Sequence, residues 1–404
     1  MTAWAEPEDT GGFGIAALPY GVLEAPGGPR VVVRIGERAL DVAAVADDLA
    51  PALRDLFDAP TLDPLLAAGP DRWRLAREQV TEWLSTAAHR PAVEPHLLAL
   101  DGATMRLPFT VADYVDFYSS RDHAENVGRI FRPGGTPLPA NWLHLPIGYH
   151  GRAGTVVVSG TGVVRPTGQR KPPDGDPVAG PSTRLDLEAE VGFVVGVGSA
   201  LGSPVPIERF ADHVFGALLV NDWSARDLQV WESVPLGPFL GKSFATSISA
   251  WVLPLAALDG ARIEPPPADV PLLGYLSGGE PWGLDLRLEI AINGAVVSRP
   301  SFRRMSWTPA QQLAHLTVNG ASLRTGDLFA SGTVSGPHRE ERGCLLELTW
   351  NGTEPLTLPD GSTRTFLDDG DEVVITATAP TASGGMVALG PVAGRVLPAV
   401  PPLG

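Results

Sequence analysis

The sequence contains one cysteine, Cys344, so no disulfide can form within a single chain. A chain without disulfides is typical of a reducing compartment, and we expect a cytoplasmic protein. No run of about 18 apolar residues is present, which excludes a membrane-spanning helix on the sequence alone. The first ten residues, MTAWAEPEDT, are acidic and lack an apolar core, so we expect no secretory signal there.

Positive charge is also scarce, because 30 Lys and Arg face 46 Asp and Glu and give a net charge of -16. Such an acidic chain disfavours nucleic acid and anionic membrane surfaces as partners. With 404 residues, 44% of them hydrophobic, the chain can form one large domain and a smaller one. Its 46 Gly and 40 Pro are spread without a repeat, which indicates many turns between short strands.

Two common enzyme motifs are missing. The nucleophile elbow G-x-S-x-G does not occur, and nothing points to a serine or cysteine nucleophile. The segment VVGVGSALG resembles a dinucleotide-binding turn, but its third glycine, Gly202, comes one residue late. No helical pattern follows it, so we predict an ordinary turn.

The most informative stretch that is present is LDLEAEVGF, residues 185–193, whose alternating apolar and polar residues predict a β-strand. Side chains alternate between the two faces of a strand, so Glu188 and Glu190 are predicted to point the same way. Two close carboxylates repel each other unless a positive group lies between them. Oxygen ligands suit a hard cation, Mg²⁺ or Ca²⁺. The alternative is an amphipathic strand with a solvated acidic face.

A second polar segment is FTVADYVDFYSSRDHAENVGRIFRP. We predict a strand or extended loop over 111–117, then a helix capped by Ser119 or Ser120 that ends near residue 131. His123 then lies near the helix N-terminus, whose dipole disfavours the protonated imidazole. A neutral imidazole can act as a base, although a structural histidine is the alternative.

A third segment, HVFGALLVNDWSARDLQVWE, combines a buried strand predicted over 214–220 with a helix predicted to begin near Ser224. Asp227 follows three residues later, as in a capping box. Three polar residues have the spacing i, i+4 and i+7 and can face one site: Asp222, Arg226 and Gln229.

Two other charged residues stand among apolar neighbours. Lys242 lies between Leu240 and Phe244, where a surface lysine is the alternative. Glu347 lies in GCLLELTWNG, which is predicted to be an apolar strand. A carboxylate in that setting needs a partner or has a raised pKa, and a buried ion pair is the alternative to a catalytic role.

Local signals place several further elements. The C-terminal third is predicted to be mostly antiparallel β, with a hairpin turn at Asn293-Gly294. Thr308 predicts the N-cap of a helix, with a capping box. In the N-terminal region a helix is predicted over 70–88, with Asp71 as its N-cap.

Six motifs in fixed order carry a resemblance to a known family: DFYSSRDHAENVG, NWLHLPIGYHGRAG, LEAEVGF, NDWSARDLQ, PLGPFLGKSF and SGTVSGP. The chain resembles the fumarylacetoacetate hydrolase family along nearly its whole length. The resemblance implies a mainly β fold with some α: an N-terminal SH3-like β-barrel domain over 1–106 and a larger mixed β-roll catalytic domain over 107–404. It also implies a homodimer.

The resemblance implies roles for individual residues. A Mg²⁺ or Ca²⁺ ion would be held by four carboxylates, with a lysine and a threonine nearby: Asp116, Glu188, Glu190 and Asp222, then Lys242 and Thr246. His123 would be the general base, oriented by Glu347. Three groups would bind substrate oxygens and developing negative charge: Arg226, Gln229 and Lys242. Four more would line the substrate pocket: Tyr118, Arg132, Tyr149 and Thr333.

The implied reaction is hydrolysis of a carbon–carbon bond in 4-fumarylacetoacetate, a small diketo acid, to fumarate and acetoacetate in tyrosine and phenylalanine breakdown. The alternatives are a related acylpyruvate hydrolase or oxaloacetate-type decarboxylase, or a non-catalytic scaffold stabilised by metal. One residue departs from the family pattern: Ala245 stands where the family has glycine before Thr246. This difference concerns fine substrate fit rather than the reaction class.

Overall fold

The computed structural model describes residues 3–7 and 9–400. Its strands follow in chain order: β1 Tyr20–Ala25, β2 Gly28–Ile35, β3 Arg38–Asp41, β4 Leu97–Ala99, β5 Asp113–Phe117, β6 Gly148–His150, β7 Val156–Val158, β8 Val163–Val164, β9 Thr167–Arg170, β10 Val178–Pro181, β11 Leu185–Asp186, β12 Ala189–Val195, β13 Val214–Asp222, β14 Ser224–Ala225, β15 Thr246–Ile248, β16 Trp251–Pro254, β17 Arg262–Ile263, β18 Gly283–Leu284, β19 Arg287–Ile292, β20 Ala295–Ser298, β21 Asp327–Ala330, β22 Leu356–Thr357, β23 Thr363–Arg364, β24 Glu372–Pro380 and β25 Met386–Leu397.

The α-helices of the same ranges are α1 Val42–Leu49, α2 Asp63–Ala67, α3 Pro70–Ser85, α4 Arg90–Val93, α5 Arg121–Phe131, α6 Phe210–His213, α7 Arg226–Glu232, α8 Pro309–Thr317 and α9 Leu345–Leu348. Within these ranges no helix combines the length and the apolar character that crossing a membrane requires. The fold is therefore mixed α/β and dominated by strands, as the coarse prediction had it.

The largest sheet has twelve strands in the order β4-β3-β2-β1-β16-β13-β12-β21-β5-β6, with β15 joining β13 to β7. Most of its pairs are antiparallel, while β21 with β5 and β15 with β7 are parallel. The central strands β12 and β13 are buried along their whole length, as their apolar sequences require. Their ends carry the acidic residues of the candidate site.

The predicted N-terminal SH3-like barrel is not confirmed. Strands β1 to β4 form an antiparallel meander, and β1 does not close onto β4. The other edge of β1 pairs with β16, where Tyr20 lies opposite Val252 and Gly21 opposite Trp251. Because that edge is used to extend the large sheet, no barrel closes within the described residues.

A second sheet of five strands has the order β20-β19-β24-β25-β8. The predicted hairpin is confirmed: Asn293 (φ 51°) and Gly294 (φ 78°) join β19 to β20. Both residues adopt the positive φ that a tight hairpin turn of this kind needs. The apolar inner faces of both sheets contribute to one large buried core.

The predicted N-caps of helices α8 and α3 have different outcomes. The capping box of α8 is confirmed, because the Thr308 hydroxyl accepts from the backbone N–H of Gln311 and the Gln311 side chain accepts in return. The prediction that Asp71 is the N-cap of α3 is wrong. Gly69 at φ 84° lets Pro70 take the first helical position, so Asp71 lies in the first turn of α3.

Candidate active site

The predicted strand over 185–193 is broken in two. β11 ends at Asp186 and β12 begins at Ala189, while Glu188 forms an isolated bridge to Cys344. Glu188 and Glu190 both border one cavity, which agrees with the prediction that they point the same way, but their surroundings differ. Glu188 accepts hydrogen bonds from Arg226 at 2.8 Å and from Lys242. These two cations outweigh burial and lower the pKa of the Glu188 carboxyl.

Glu190 has a different environment, because both its carboxylate oxygens are buried and accept no hydrogen bond from any residue that the structure describes. Ligand atoms of Asp116, Glu190 and Asp222 all lie within 4.8 Å of one another, from strands β5, β12 and β13. Burial raises the pKa of the Glu190 carboxyl well above its usual range, and the charges of Asp116 and Asp222 raise it further. Buried, unpartnered oxygens of this kind fit a hard divalent cation.

Three of the four predicted ligands therefore converge, while Glu188 is paired with protein cations. The two residues predicted to lie nearby both contact Asp222. Lys242 donates to its Oδ2 at 2.6 Å, and Thr246 donates from Oγ1 to its Oδ1 at 3.1 Å. Ala245, the departure from the family pattern, is buried in the core cluster.

His123 and Glu347 form a buried pair, with His123 Nδ1 2.6 Å from Glu347 Oε2. His123 lies in the first turn of α5, where the Ser120 hydroxyl caps the helix by accepting from the backbone N–H of His123. The helix and its cap are as predicted. The other ring nitrogen, Nε2, faces the cavity side and lies 3.9 Å from Oε1 of Glu188.

The predicted strand around Glu347 is wrong, because Leu345–Leu348 form the short helix α9. Asp186 caps this helix by accepting from the backbone N–H groups of Leu345 and Leu346, a contact that the local sequence does not encode. The prediction that Glu347 needs a partner is confirmed. Besides His123, three side chains donate to its carboxylate: Asn126 at 2.9 Å, Ser335 at 2.8 Å and Cys344 at 3.1 Å.

The pKa of Glu347 sets a pH dependence. Burial raises it, but the His123 charge and the hydrogen bonds from His123, Asn126 and Ser335 outweigh burial and lower the pKa to about 2. Because the folded-state pKa lies below the ordinary value of 4.5, the ionised carboxylate stabilises the fold above about pH 4.5. This contribution, about 3 kcal/mol, is lost as the pH falls through about 2.

We therefore expect the stability difference between wild type and Glu347→Gln to narrow by about 1 kcal/mol between pH 7 and pH 3.5. Urea unfolding at both pH values measures it. The control is Glu24→Gln, which alters an exposed pair with Arg106. A difference that stays constant or grows toward acid contradicts the assigned pKa.

Two polar residues of the third segment, Arg226 and Gln229, border the same cavity, while Asp222 does not. Arg226 donates from Nη1 to the Gln229 side-chain oxygen at 3.1 Å, and from Nη2 to Glu188. The helix predicted to begin near Ser224 is present, but the capping box predicted at Ser224 is wrong. Ser224 lies in β14, opposite Asp186, and α7 begins at Arg226. Asp227 instead accepts from the Ser182 and Thr183 side chains.

A cavity of about 240 Å³ opens over these groups. It is bordered by most of the predicted substrate-binding, catalytic and metal-ligating residues: Asp116, Tyr118, His123, Tyr149, Glu188, Glu190, Arg226, Gln229, Lys242 and Thr333. Arg132 does not border it; its side chain is exposed and donates to the Pro137 carbonyl at 2.7 Å. A larger cavity of about 670 Å³ lies beside α3 and is bordered by none of the predicted site residues.

Sequence reasoning missed four polar residues that hold the site together: Asn126, Arg152, Asp186 and Ser335. Asn126 follows His123 by three residues and so shares its helix face, a signal that could have been used. Arg152 lies in the motif NWLHLPIGYHGRAG and Asp186 in the stretch LDLEAEVGF, where each is a further charged residue. Ser335 lies in SGTVSGP, and no local pattern points to it.

Comparison with known proteins places the chain among relatives. The family model described as "Fumarylacetoacetate (FAA) hydrolase C-terminal" matches residues 113–396, and "Fumarylacetoacetase N-terminal" matches residues 16–108. The fumarylacetoacetase of Homo sapiens is 47% identical over 96% of this chain and 97% of its own length. That of Arabidopsis thaliana is 42% identical over 96% of each.

Solved structures show the same fold at low identity. A fumarylacetoacetate hydrolase from Exiguobacterium antarcticum superposes with a TM-score of 0.54 at 16% identity, over 94% of this chain and 99% of that one. A maleylpyruvate hydrolase from Sphingobium superposes with a TM-score of 0.52 at 14% identity, over 94% and 100% of the two chains.

Proposed function

Because this chain belongs to the fumarylacetoacetate hydrolase family, we propose that it hydrolyses the carbon–carbon bond of 4-fumarylacetoacetate to give fumarate and acetoacetate. One observation carries the proposal. His123, which is paired with the orienting carboxylate of Glu347, borders the cavity that Asp116 and Glu190 also border. Hydrolysis of a β-diketone needs a general base next to a divalent cation, and this arrangement provides both groups.

His123 acts as the general base. Its Nδ1 is engaged by Glu347 at 2.6 Å, so Nε2 is the nitrogen left to take a proton from water. The Glu347 carboxylate stabilises the imidazolium that forms. The hydroxide attacks the carbonyl carbon next to the fumaryl group, and the tetrahedral adduct forms at that carbon.

The adduct then collapses. The bond between the former carbonyl carbon and the acetoacetate methylene breaks, and its electron pair leaves as an enolate. His123 returns the proton to the methylene carbon, which becomes the methyl group of acetoacetate, while the former carbonyl carbon becomes the new carboxyl group of fumarate. Arg226 and Lys242 border the cavity and supply positive charge for the developing oxyanions. Gln229 and Tyr118, with Tyr149 and Thr333, orient the substrate.

The cation site is proposed to take Mg²⁺ or Ca²⁺, which Asp116, Glu190 and Asp222 would hold. Glu188 would become a fourth ligand if Arg226 or Lys242 released one of its carboxylate oxygens. When bound, the ion supplies a Lewis acid and a template for the two diketone oxygens. We also propose that Arg132 reaches the substrate only after moving from the Pro137 carbonyl. The boundary at 106/107, the homodimer and the cytoplasmic location stand as predictions.

Turnover of 4-fumarylacetoacetate tests the proposal directly. The purified protein is stripped with a chelator, then assayed with Mg²⁺ or Ca²⁺ restored, while loss of the diketone chromophore is followed and products are identified. We expect fumarate and acetoacetate only when metal is restored. Release of CO₂ from oxaloacetate, or turnover of acylpyruvates alone, favours a superfamily relative. A folded protein that binds metal but turns over none of these substrates favours a scaffold.

A further inference from the structure

Arg152 lies beside the carboxylate cluster of Asp116, Glu190 and Asp222. Its Nη2 donates to Oδ2 of Asp222 at 2.9 Å and to Oδ2 of Asp116 at 3.2 Å. The arginine side chain is only 5% exposed. Its guanidinium lies over the rings of Tyr114 and Tyr149, 4.8 and 5.0 Å from their centroids. Arg152 therefore joins two of the three converging carboxylates.

The backbone at Arg152 is held in an unfavourable conformation. Its φ is 72°, in the left-handed region, and it follows Gly151 at φ 135°. A non-glycine residue there costs on the order of 1–3 kcal/mol and persists only where its surroundings enforce it. The two ion pairs and two aromatic rings around the guanidinium provide that enforcement. The turn thus directs the side chain inward rather than toward solvent.

The contacts of Arg152 also determine which carboxylate oxygens stay available. Asp116 Oδ2 accepts from Arg152 and from the Tyr149 hydroxyl at 2.8 Å. Within the described part of the chain, no side chain donates to Asp116 Oδ1 or to either oxygen of Glu190. Arg152 therefore binds Oδ2 of Asp116 and leaves Oδ1 free for a ligand.

We propose that Arg152 is a positioning residue of the cation site, which fixes Asp116 and Asp222 so that they and Glu190 meet around a divalent ion. The inference rests on the metal dependence proposed above. Residues that orient metal ligands typically contribute about 10–100-fold to metal affinity. If Arg152 were only a counter-ion, removing it would lower the Kd for the metal, because a carboxylate cluster that loses one cation binds another more tightly.

The sign of the change in affinity is measured by calorimetric titration of Mg²⁺ and Ca²⁺ into chelator-stripped protein. We expect Arg152→Met and Arg152→Lys both to raise Kd by about 10–100-fold. Lysine keeps the charge, but it is shorter and lacks the planar group that lies over the two rings. Equal or tighter binding by Arg152→Met overturns the proposal, as does wild-type binding by Arg152→Lys.

The matched control is Arg364→Met, which removes another largely buried arginine, 14% exposed and paired with Asp371 outside the cavity. It should lose stability in urea and keep the wild-type Kd. If Arg152→Met does not fold, Arg152→Lys alone decides the outcome. A folded wild-type protein that binds neither ion refutes the proposed metal dependence itself. Wild-type binding with unchanged variants refutes only the role of Arg152.

Discussion

Replacing His123 by alanine is expected to lower kcat for 4-fumarylacetoacetate by about 10²–10⁴, because the group that takes the proton from water is lost. Binding of substrate depends on other residues of the cavity, so KM should change much less. Steady-state kinetics on metal-loaded protein measure both constants. Full activity in this variant would overturn the assignment of the base.

Glu347→Gln separates orientation from proton transfer. The glutamine keeps the shape of the side chain but removes the charge that lies 2.6 Å from His123 Nδ1. Since His123 and Glu347 act as one unit, the double variant His123→Ala/Glu347→Gln should have about the same kcat as His123→Ala alone. Additive losses would show that Glu347 acts independently of His123.

The matched control for these variants is His89→Ala. His89 lies 3.5 Å from Glu82, and so it also pairs with a carboxylate, but near the C-terminal end of α3 outside the cavity. The side chain of its partner is 54% exposed, and an exposed pair of this kind contributes about 0–1 kcal/mol to stability. Wild-type kcat is expected, which shows that loss of a His–carboxylate pair does not by itself slow the enzyme.

Elements with strong local signals were predictable from the sequence. The capped start of α5 at Ser120, the capping box of α8 and the hairpin at Asn293-Gly294 each follow from a few neighbouring residues. The buried strand predicted over 214–220 is present as β13 for the same reason, because its apolar run needs no partner to be identified. The order of the chemical motifs along the chain then identified the family.

Features that depend on distant parts of the chain were not predictable. Helix α9 contains only four residues, LLEL, and exists where Asp186, 159 positions away, accepts from its first N–H groups. The N-terminal meander stays open because the edge of β1 pairs with β16, a choice made by strand contacts across the fold. Likewise, the cations that pair with Glu188 come from α7 and from the loop before β15. Only the folded chain shows that Glu188 differs from Glu190.

Asp186 should be the most costly of these residues to change. It is fully buried, and its two oxygens accept four hydrogen bonds: from the backbone of Leu187 at 2.8 Å, Leu345 at 2.7 Å and Leu346 at 2.9 Å, and from Arg226 Nε at 2.9 Å. One carboxylate thus joins the helix that carries Glu347 to the arginine that pairs with Glu188.

Asp186→Asn is expected to lower the free energy of unfolding by about 3–5 kcal/mol, because it removes one of the two carboxylates that pair with the buried Arg226 and leaves only Glu188. The amide also presents N–H groups where two of the four donors now bind, so the start of α9 loses a cap. Urea unfolding of metal-free protein measures the loss. Glu24→Ala, which breaks an exposed pair with Arg106, should cost no more than about 1 kcal/mol.

The same variant tests whether Asp186 serves the site as well as the fold. Glu347 and Arg226 both lose a fixed neighbour, so kcat should fall even at temperatures where the variant remains fully folded by circular dichroism. An Asp186→Asn protein within about 1 kcal/mol of wild type would show that its four contacts are replaceable. Full kcat in a destabilised variant would confine Asp186 to folding, since misplacement of Glu347 then has no consequence for proton transfer.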